Sequence, residues 1–144
     1  MAYWLLKSEP EVFSFDALVK AKSTKWDGVR NYMARNFLRD MQPGDLAFYY
    51  HSNEGLEIVG IAEIAAAAEP DTTFKPEKGK ENPWLVVTVK PVKKLPRSVS
   101  RAAILKEPKL KDMAFVKYGR LSVQPVTAAE WKTVCAMGGL PQGA

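Results

Sequence analysis

The most chemically suggestive stretch of the sequence is Trp26-Asp27-Gly28, which directly precedes an amphipathic helical pattern. A tryptophan held beside a flexible glycine can form a stacking platform, and aromatic stacking contributes ~1–3 kcal/mol per bound base. We expect the following helix to begin near Val29 or Arg30, where its free N–H groups favour an anionic or carbonyl-bearing ligand. The tryptophan could instead pack over the mouth of a β-barrel, and the residues alone leave both interpretations open.

Catalytic chemistry finds little support in the residue types. His51 is the single histidine, and we favour a strand-end residue satisfied by a backbone group over a catalytic role. Ser52 follows directly, so on a strand the two side chains point to opposite faces. Cys135, the single cysteine, lies on the apolar side of a predicted helix, which favours an inert thiol. We therefore predict a protein that is not an enzyme and holds no metal and no cofactor; His51 as a general base is the alternative.

Aromatic and basic residues better fit a binding surface. On the strand that ends at His51, Phe48 and Tyr50 point one way while Tyr49 and His51 point the other, and alternation does not decide which pair lines a pocket. The net charge of +5 favours a polyanionic partner only weakly. A basic run after a strongly predicted strand is either a solvated edge or a rim that contacts phosphates; it contains Lys90, Lys93, Lys94, Arg97 and Arg101.

Length and composition indicate one globular domain. The 144 residues, 47% hydrophobic and 26% charged, can bury a real core. A single cysteine excludes an intramolecular disulfide and suits a reducing compartment. The N-terminus does not resemble a signal peptide, and the most apolar run, Ile58 to Ala68, is about half as long as a membrane span. We expect a soluble, cytoplasmic protein without a membrane partner.

Local patterns predict the elements that would position these side chains. Strands are expected at Tyr3–Leu6, Leu46–His51, Glu57–Ala66, Trp84–Val92 and Gly119–Val123, and capped helices after Ser14, after Ser98 or Ser100, and after Thr127. In the helix after Trp26, one stripe of residues should face the core: Met33, Ala34, Phe37, Leu38 and Met41. About five strands with short helices and no βαβ rhythm predict an α+β fold, a small mixed barrel surrounded by helices.

Four blocks of the sequence resemble the EVE domain family, that of the thymocyte nuclear protein and its bacterial relatives. They are YWLLKSEP from Tyr3, WDGVRNYMARN from Trp26, GDLAFYYHS from Gly44 and RLSVQP from Arg120, and they occur in order along nearly the whole chain. The resemblance implies a PUA-like twisted mixed β-barrel of about five to six strands, related to ASCH and YTH domains. It also implies one domain over residues 1–140, followed by a C-terminal tail at 141–144.

The resemblance further implies a pocket for a modified base, with Trp26 as one wall. Its base-binding residues would be Ser8, Trp26, Asn31, Tyr49, His51 and Ser122, and its phosphate-contacting rim would be Lys7, Arg30, Arg35 and Arg120. YTH domains use a second tryptophan where this chain offers Val89 or a neighbour, so a base other than methyl-adenine is plausible.

The expected function is thus non-catalytic binding of nucleic acid, DNA or RNA, through a base such as a modified cytosine or methylated adenine. The resemblance implies a nuclear location if the protein is eukaryotic, and a monomer is favoured. Two alternatives stay open, namely an enzyme acting on modified nucleotides through His51 and a protein-interaction module.

Overall fold

The computed structural model describes residues 1–140. Its strands are β1 (Tyr3–Ser8), β2 (Thr24–Lys25), β3 (Leu46–His51), β4 (Glu57–Pro70), β5 (Leu85–Ser100) and β6 (Val123–Val126). Its helices are α1 (Pro10–Phe13), α2 (Phe15–Ala21), α3 (Tyr32–Asp40), α4 (Arg101–Lys106), α5 (Ala114–Lys117) and α6 (Ala128–Met137), with a 3-10 turn at Pro108–Leu110. The predicted tail, residues 141–144, lies outside the described residues.

The six strands form one sheet in the order β2-β5-β4-β3-β1-β6. β1 and β3 run parallel and every other pair runs antiparallel. Pro125 lies within β6, and a proline, which cannot donate to the ladder, is tolerated there because β6 is an edge strand. The sheet is therefore mixed, and it confirms the expected α+β class with six strands.

Alternation along the central strands divides the apolar residues between two cores. Leu6 and Tyr49 belong to the first core, which α2 and α3 cover. Phe48 and Tyr50 belong to the second core, against α4, α5 and α6. Phe48 stacks on Trp131 with ring centroids 3.9 Å apart. The sequence left open which face of β3 would line a pocket. In the structure, the face that carries Tyr49 packs into the first core.

Short polar side chains begin most of the longer helices. Ser14, Asn31, Ser100 and Thr127 each accept a hydrogen bond from a backbone N–H in the first turn of the helix that follows. Thr127 also forms a full capping box with Glu130. Such caps satisfy donors that would otherwise lack a partner within the helix, which fixes where each helix starts.

Three expectations about the elements were wrong in detail. α3 begins at Tyr32 rather than near Val29 or Arg30 because Asn31 caps it, and Met33 is 47% exposed, whereas the rest of the predicted stripe, including Ala34 and Leu38, packs inward. β5 continues to Ser100, so the basic run lies mainly on a strand rather than after one. β6 starts at Val123, four residues later than the expected start at Gly119.

Gly60 on β4 is required by the first core. A Cβ placed there would lie 2.5 Å from Cζ of the Phe15 ring, well inside contact distance. Gly60→Ala should therefore force Phe15 or the strand to move and lower the free energy of unfolding by about 1–3 kcal/mol. Urea denaturation measures this loss.

Gly119→Ala is the matched control, because a Cβ at Gly119 meets no atom within 4 Å. We expect its free energy of unfolding to stay within about 0.5 kcal/mol of the parent. Equal stability of the two variants would contradict the close packing of Phe15 on Gly60.

Candidate nucleic-acid interface

A cleft of about 480 Å³ opens beside the end of β1. One side is formed by Ser8 of β1 and by α1, and the other by the turn between β2 and α3. The lining consists of Lys7, Ser8, Val12, Phe13, residues 24–30 and Ser122. Of the residues predicted from the sequence, the cleft thus brings together Lys7, Ser8, Trp26, Arg30 and Ser122.

Trp26 is held from two directions in this lining. Its backbone N–H donates to the carbonyl of Val87 at 2.8 Å, which extends the β2–β5 pairing by one residue. Its ring is half-buried and lies perpendicular to the ring of Tyr49, with centroids 5.5 Å apart. Edge-to-face pairs of this kind are favourable beyond simple burial, so the indole has a defined position before any ligand binds.

Tyr49 lies behind the cleft rather than in it. Its side chain is fully buried, and its hydroxyl donates to the carbonyl of Phe13 at 2.6 Å. The Ser8 hydroxyl donates to the same carbonyl at 2.9 Å. Burial raises the pKa of Tyr49 to about 12, so the phenol stays neutral and supports Trp26 from below.

Asp71 fixes the shape of the turn that follows Trp26. The carboxylate is fully buried, and it accepts hydrogen bonds from the Gly28 N–H at 3.0 Å and from Arg30 Nη1 at 2.8 Å. Its other oxygen accepts from the Thr73 N–H at 2.9 Å and from the Thr73 hydroxyl. Gly28 has φ of +77°, which favours glycine at that point of the turn.

The Asp71 carboxylate is held ionised. Burial alone would raise its pKa, but hydrogen bonds from Thr73, Arg30 and the Gly28 N–H outweigh burial and lower the pKa well below the ordinary range. Sequence patterns did not reveal this residue. The available signal was an aspartate directly after Pro70, at the start of the long polar loop.

Of the four predicted rim cations, two are committed to internal contacts. Arg30 pairs with Asp71 and lies over the Phe74 ring, 5.2 Å from its centroid. Arg35 donates to the carbonyl of Pro83 at 3.0 Å and lies outside the cleft lining.

The other two rim cations are differently placed. Lys7 lines the cleft and donates to the carbonyl of Gly119 at 2.8 Å. Arg120 is exposed, and no hydrogen bond or ion pair with another residue between 1 and 140 engages its side chain.

Asn31 and His51 also lie outside the cleft lining. The Asn31 carboxamide caps α3 by accepting the Ala34 N–H at 3.0 Å. Nε2 of His51 accepts the backbone N–H of Phe15 at 3.1 Å, at the start of α2. Burial lowers the pKa of His51, which agrees with a neutral ring whose lone pair is already bound.

The described residues offer little to other kinds of site. Among residues 1–140, no three His, Cys, Asp or Glu side chains lie together in a way that could hold a metal ion. Cys135 is buried, and burial raises the pKa of its thiol to about 11. No helix in this part of the chain combines the length and apolar character that crossing a membrane requires.

The mixed six-stranded sheet with short helices on both faces has the PUA-like fold. An ASCH protein from Zymomonas mobilis shares this fold, with a TM-score of 0.59 at 11% identity over 95% of this chain and 99% of that one. The sequence profile of the EVE domain matches residues 2–137. The chain belongs to the EVE domain family, as its sequence blocks predicted.

Individual relatives support the assignment. Human thymocyte nuclear protein 1 is 37% identical over 94% of this chain and 73% of its own length. An NMR structure of a Rhodopseudomonas palustris protein is 55% identical, with a TM-score of 0.88 over 97% of this chain and 94% of that one. The crystal structure of human THYN1 in complex with 5-methylcytosine-containing DNA is 36% identical in sequence. Its TM-score is 0.87, over 96% of this chain and 98% of that one.

Asp71→Asn should destabilise the domain by about 3 kcal/mol, because the change leaves Arg30 without its buried partner and presents amide hydrogens to other donors. Urea denaturation at neutral pH measures the loss. Asp112→Asn is the matched control, since Asp112 meets Lys117 only at 3.9 Å between exposed side chains, and should cost less than about 1 kcal/mol.

The pH dependence of unfolding tests whether the charge of the Asp71 carboxylate causes this loss of stability. Folding lowers the Asp71 pKa, so its contribution is complete above the unfolded-state value of about 3.9 and is lost as the pH falls toward the folded-state value. The stability gap between the parent and Asp71→Asn should therefore narrow below about pH 4. A gap that stays constant down to pH 3 would show that the carboxylate charge is not responsible.

Proposed function

We propose that the protein is a non-catalytic reader of nucleic acid that accepts one modified base in the cleft, stacked against Trp26. The observation that carries the proposal is a half-buried indole in the wall of a cleft, packed on the Tyr49 ring, on a backbone that is bonded to the Val87 carbonyl. A base that leaves its stack can be read by stacking and by hydrogen bonds to its edge.

The size and chemistry of the cleft support a small planar ligand. Its volume of about 480 Å³ falls within the range of about 300–1,000 Å³ that is typical of small-molecule sites. Ser8 and Ser122 place hydroxyl groups in the lining, and the backbone at residues 24–30 adds further polar groups. An apolar wall with a few convergent polar groups is what selects one base among several.

DNA that carries a modified cytosine is the first ligand to test. The support is the relative whose crystal structure contains 5-methylcytosine DNA and whose fold matches this chain over nearly its whole length. Modified RNA and methylated adenine are further candidates for the same cleft. A nuclear location for a eukaryotic member rests on the name of thymocyte nuclear protein 1.

Within this proposal the predicted residues take different roles. Trp26 contacts the base, Ser8 and Ser122 contact its polar edge, and Tyr49 supports the tryptophan. Lys7 and Arg120 contact phosphates, whereas Arg30 and Arg35 hold the loops that they bridge. Asn31 and His51 are positioning residues, because each satisfies the first turn of a helix.

An enzyme is the weaker candidate. A general base must offer a free lone pair within reach of the substrate, whereas Nε2 of His51 accepts the Phe15 N–H at 3.1 Å and lies outside the cleft. We propose binding without turnover, and mass analysis of oligonucleotides after incubation would reveal any product.

Trp26→Ala should weaken binding to a duplex with one central 5-methylcytosine by roughly 5- to 150-fold, because it removes the ~1–3 kcal/mol of base stacking. Preference over the unmethylated duplex should disappear at the same time. Fluorescence anisotropy with labelled duplexes at fixed salt measures both quantities.

Trp26→Phe is the matched variant, because it retains an aromatic face and should keep a measurable preference for the methylated duplex. A melting curve checks that both variants are folded. If Trp26→Ala binds methylated and plain duplexes as the parent does, the base does not stack on Trp26 and the proposed site is wrong.

A further inference from the structure

A second recess shares Lys7 with the cleft. It has a volume of about 340 Å³, and Ser52, Asn53, Arg101 and Phe115 are among the residues that line it together with Lys7. We call it the Lys7–Arg101 recess. The Lys7 Nζ lies 5.1 Å from the centroid of the Phe115 ring, which forms an apolar wall behind the ammonium group.

Backbone contacts fix the Arg101 main chain and the Lys7 ammonium at the recess. The Arg101 N–H donates to the carbonyl of Leu56 at 2.8 Å, which ties the start of α4 to the turn between β3 and β4. The Lys7 ammonium is anchored on the carbonyl of Gly119 at 2.8 Å and is half-buried. A backbone carbonyl thus holds the Lys7 charge, and the backbone of Arg101 is fixed at the edge of the recess while its side chain is exposed.

No carboxylate lies among the residues that line the recess. Within residues 1–140, neither Lys7 nor Arg101 forms an ion pair, although several other lysines do. The acidic side chain tied to the recess is Glu11, which accepts the Asn53 amide at 2.8 Å but is not part of the lining. Burial, and then the charge of Arg101, lowers the pKa of Lys7, so the two cations repel each other in the free protein.

We propose that the Lys7–Arg101 recess binds a backbone phosphate of the same nucleic acid whose base enters the cleft. A phosphate oxygen would accept hydrogen bonds from the Arg101 guanidinium, the Lys7 ammonium and the Ser52 hydroxyl. Two cations without counterions beside a hydroxyl match the charge and acceptor geometry of a phosphodiester.

Lys7 connects this recess to the base site, because it lines both. A strand that places one base in the cleft therefore passes directly over Lys7 and presents a neighbouring phosphate to Arg101. The inference rests on the proposed function and adds the direction in which the strand leaves the cleft, toward α4. Phosphate contacts of this kind position a ligand without reading its sequence.

The test is the salt dependence of duplex binding for Arg101→Gln. Loss of one phosphate contact should reduce the slope of log affinity against log salt concentration by ~0.9 and weaken binding roughly tenfold at low salt. The ratio of affinities for methylated and plain duplexes should stay unchanged. Lys106→Gln is the matched control, because Lys106 is exposed on the same helix, carries the same charge and lies outside the recess.

Each outcome decides between the two proposals. If the parent binds and both variants keep its slope, the recess does not hold a phosphate, while the base site stands. If both variants lose slope equally, the effect is one of net charge and the recess is again excluded. If the parent binds no duplex at all, the proposal that it reads DNA fails, and the recess proposal fails with it.

Discussion

A single buried carboxylate, Asp71, joins the two segments on which the cleft depends. It accepts hydrogen bonds from Gly28 and Arg30 on the turn after Trp26, and from Thr73 on its own loop. Removing a charge from water is costly unless every lone pair is satisfied, so the partners must stay in place. The long loop after β4 is thereby joined to the turn that follows Trp26, whose own position is set by the Val87 carbonyl and the Tyr49 ring.

The sheet arranges the rest of the site around this anchor. β1 lies between β3 and β6, so the end of β1 presents Ser8 to the cleft while Tyr49 of β3 supports Trp26 from the first core. Helices α4 to α6 pack on the other face and bring Arg101 close to Lys7. The cleft and the Lys7–Arg101 recess are therefore neighbours, because Lys7 of β1 lines both.

Local sequence patterns were enough for much of the fold. Caps such as Ser14 and Thr127 act within four residues, so their helices could be predicted. Asp71 could not, because its partners Gly28 and Arg30 lie 43 and 41 residues away along the chain. For His51 the sequence favoured a backbone partner at the strand end, and the structure identifies that partner as the Phe15 N–H, which lies 36 residues away along the chain.

The account's central claim is that a base enters the cleft against Trp26, and the four tryptophans allow a direct test. Each gives one indole N–H signal in a 15N-labelled sample titrated with a 5-methylcytosine duplex. The Trp26 signal should shift strongly, while those of Trp4, bonded to Asp45, and Trp131, buried in the second core, should stay in place. An unmoved Trp26 signal at saturation, with backbone amides elsewhere shifting, would contradict the claim.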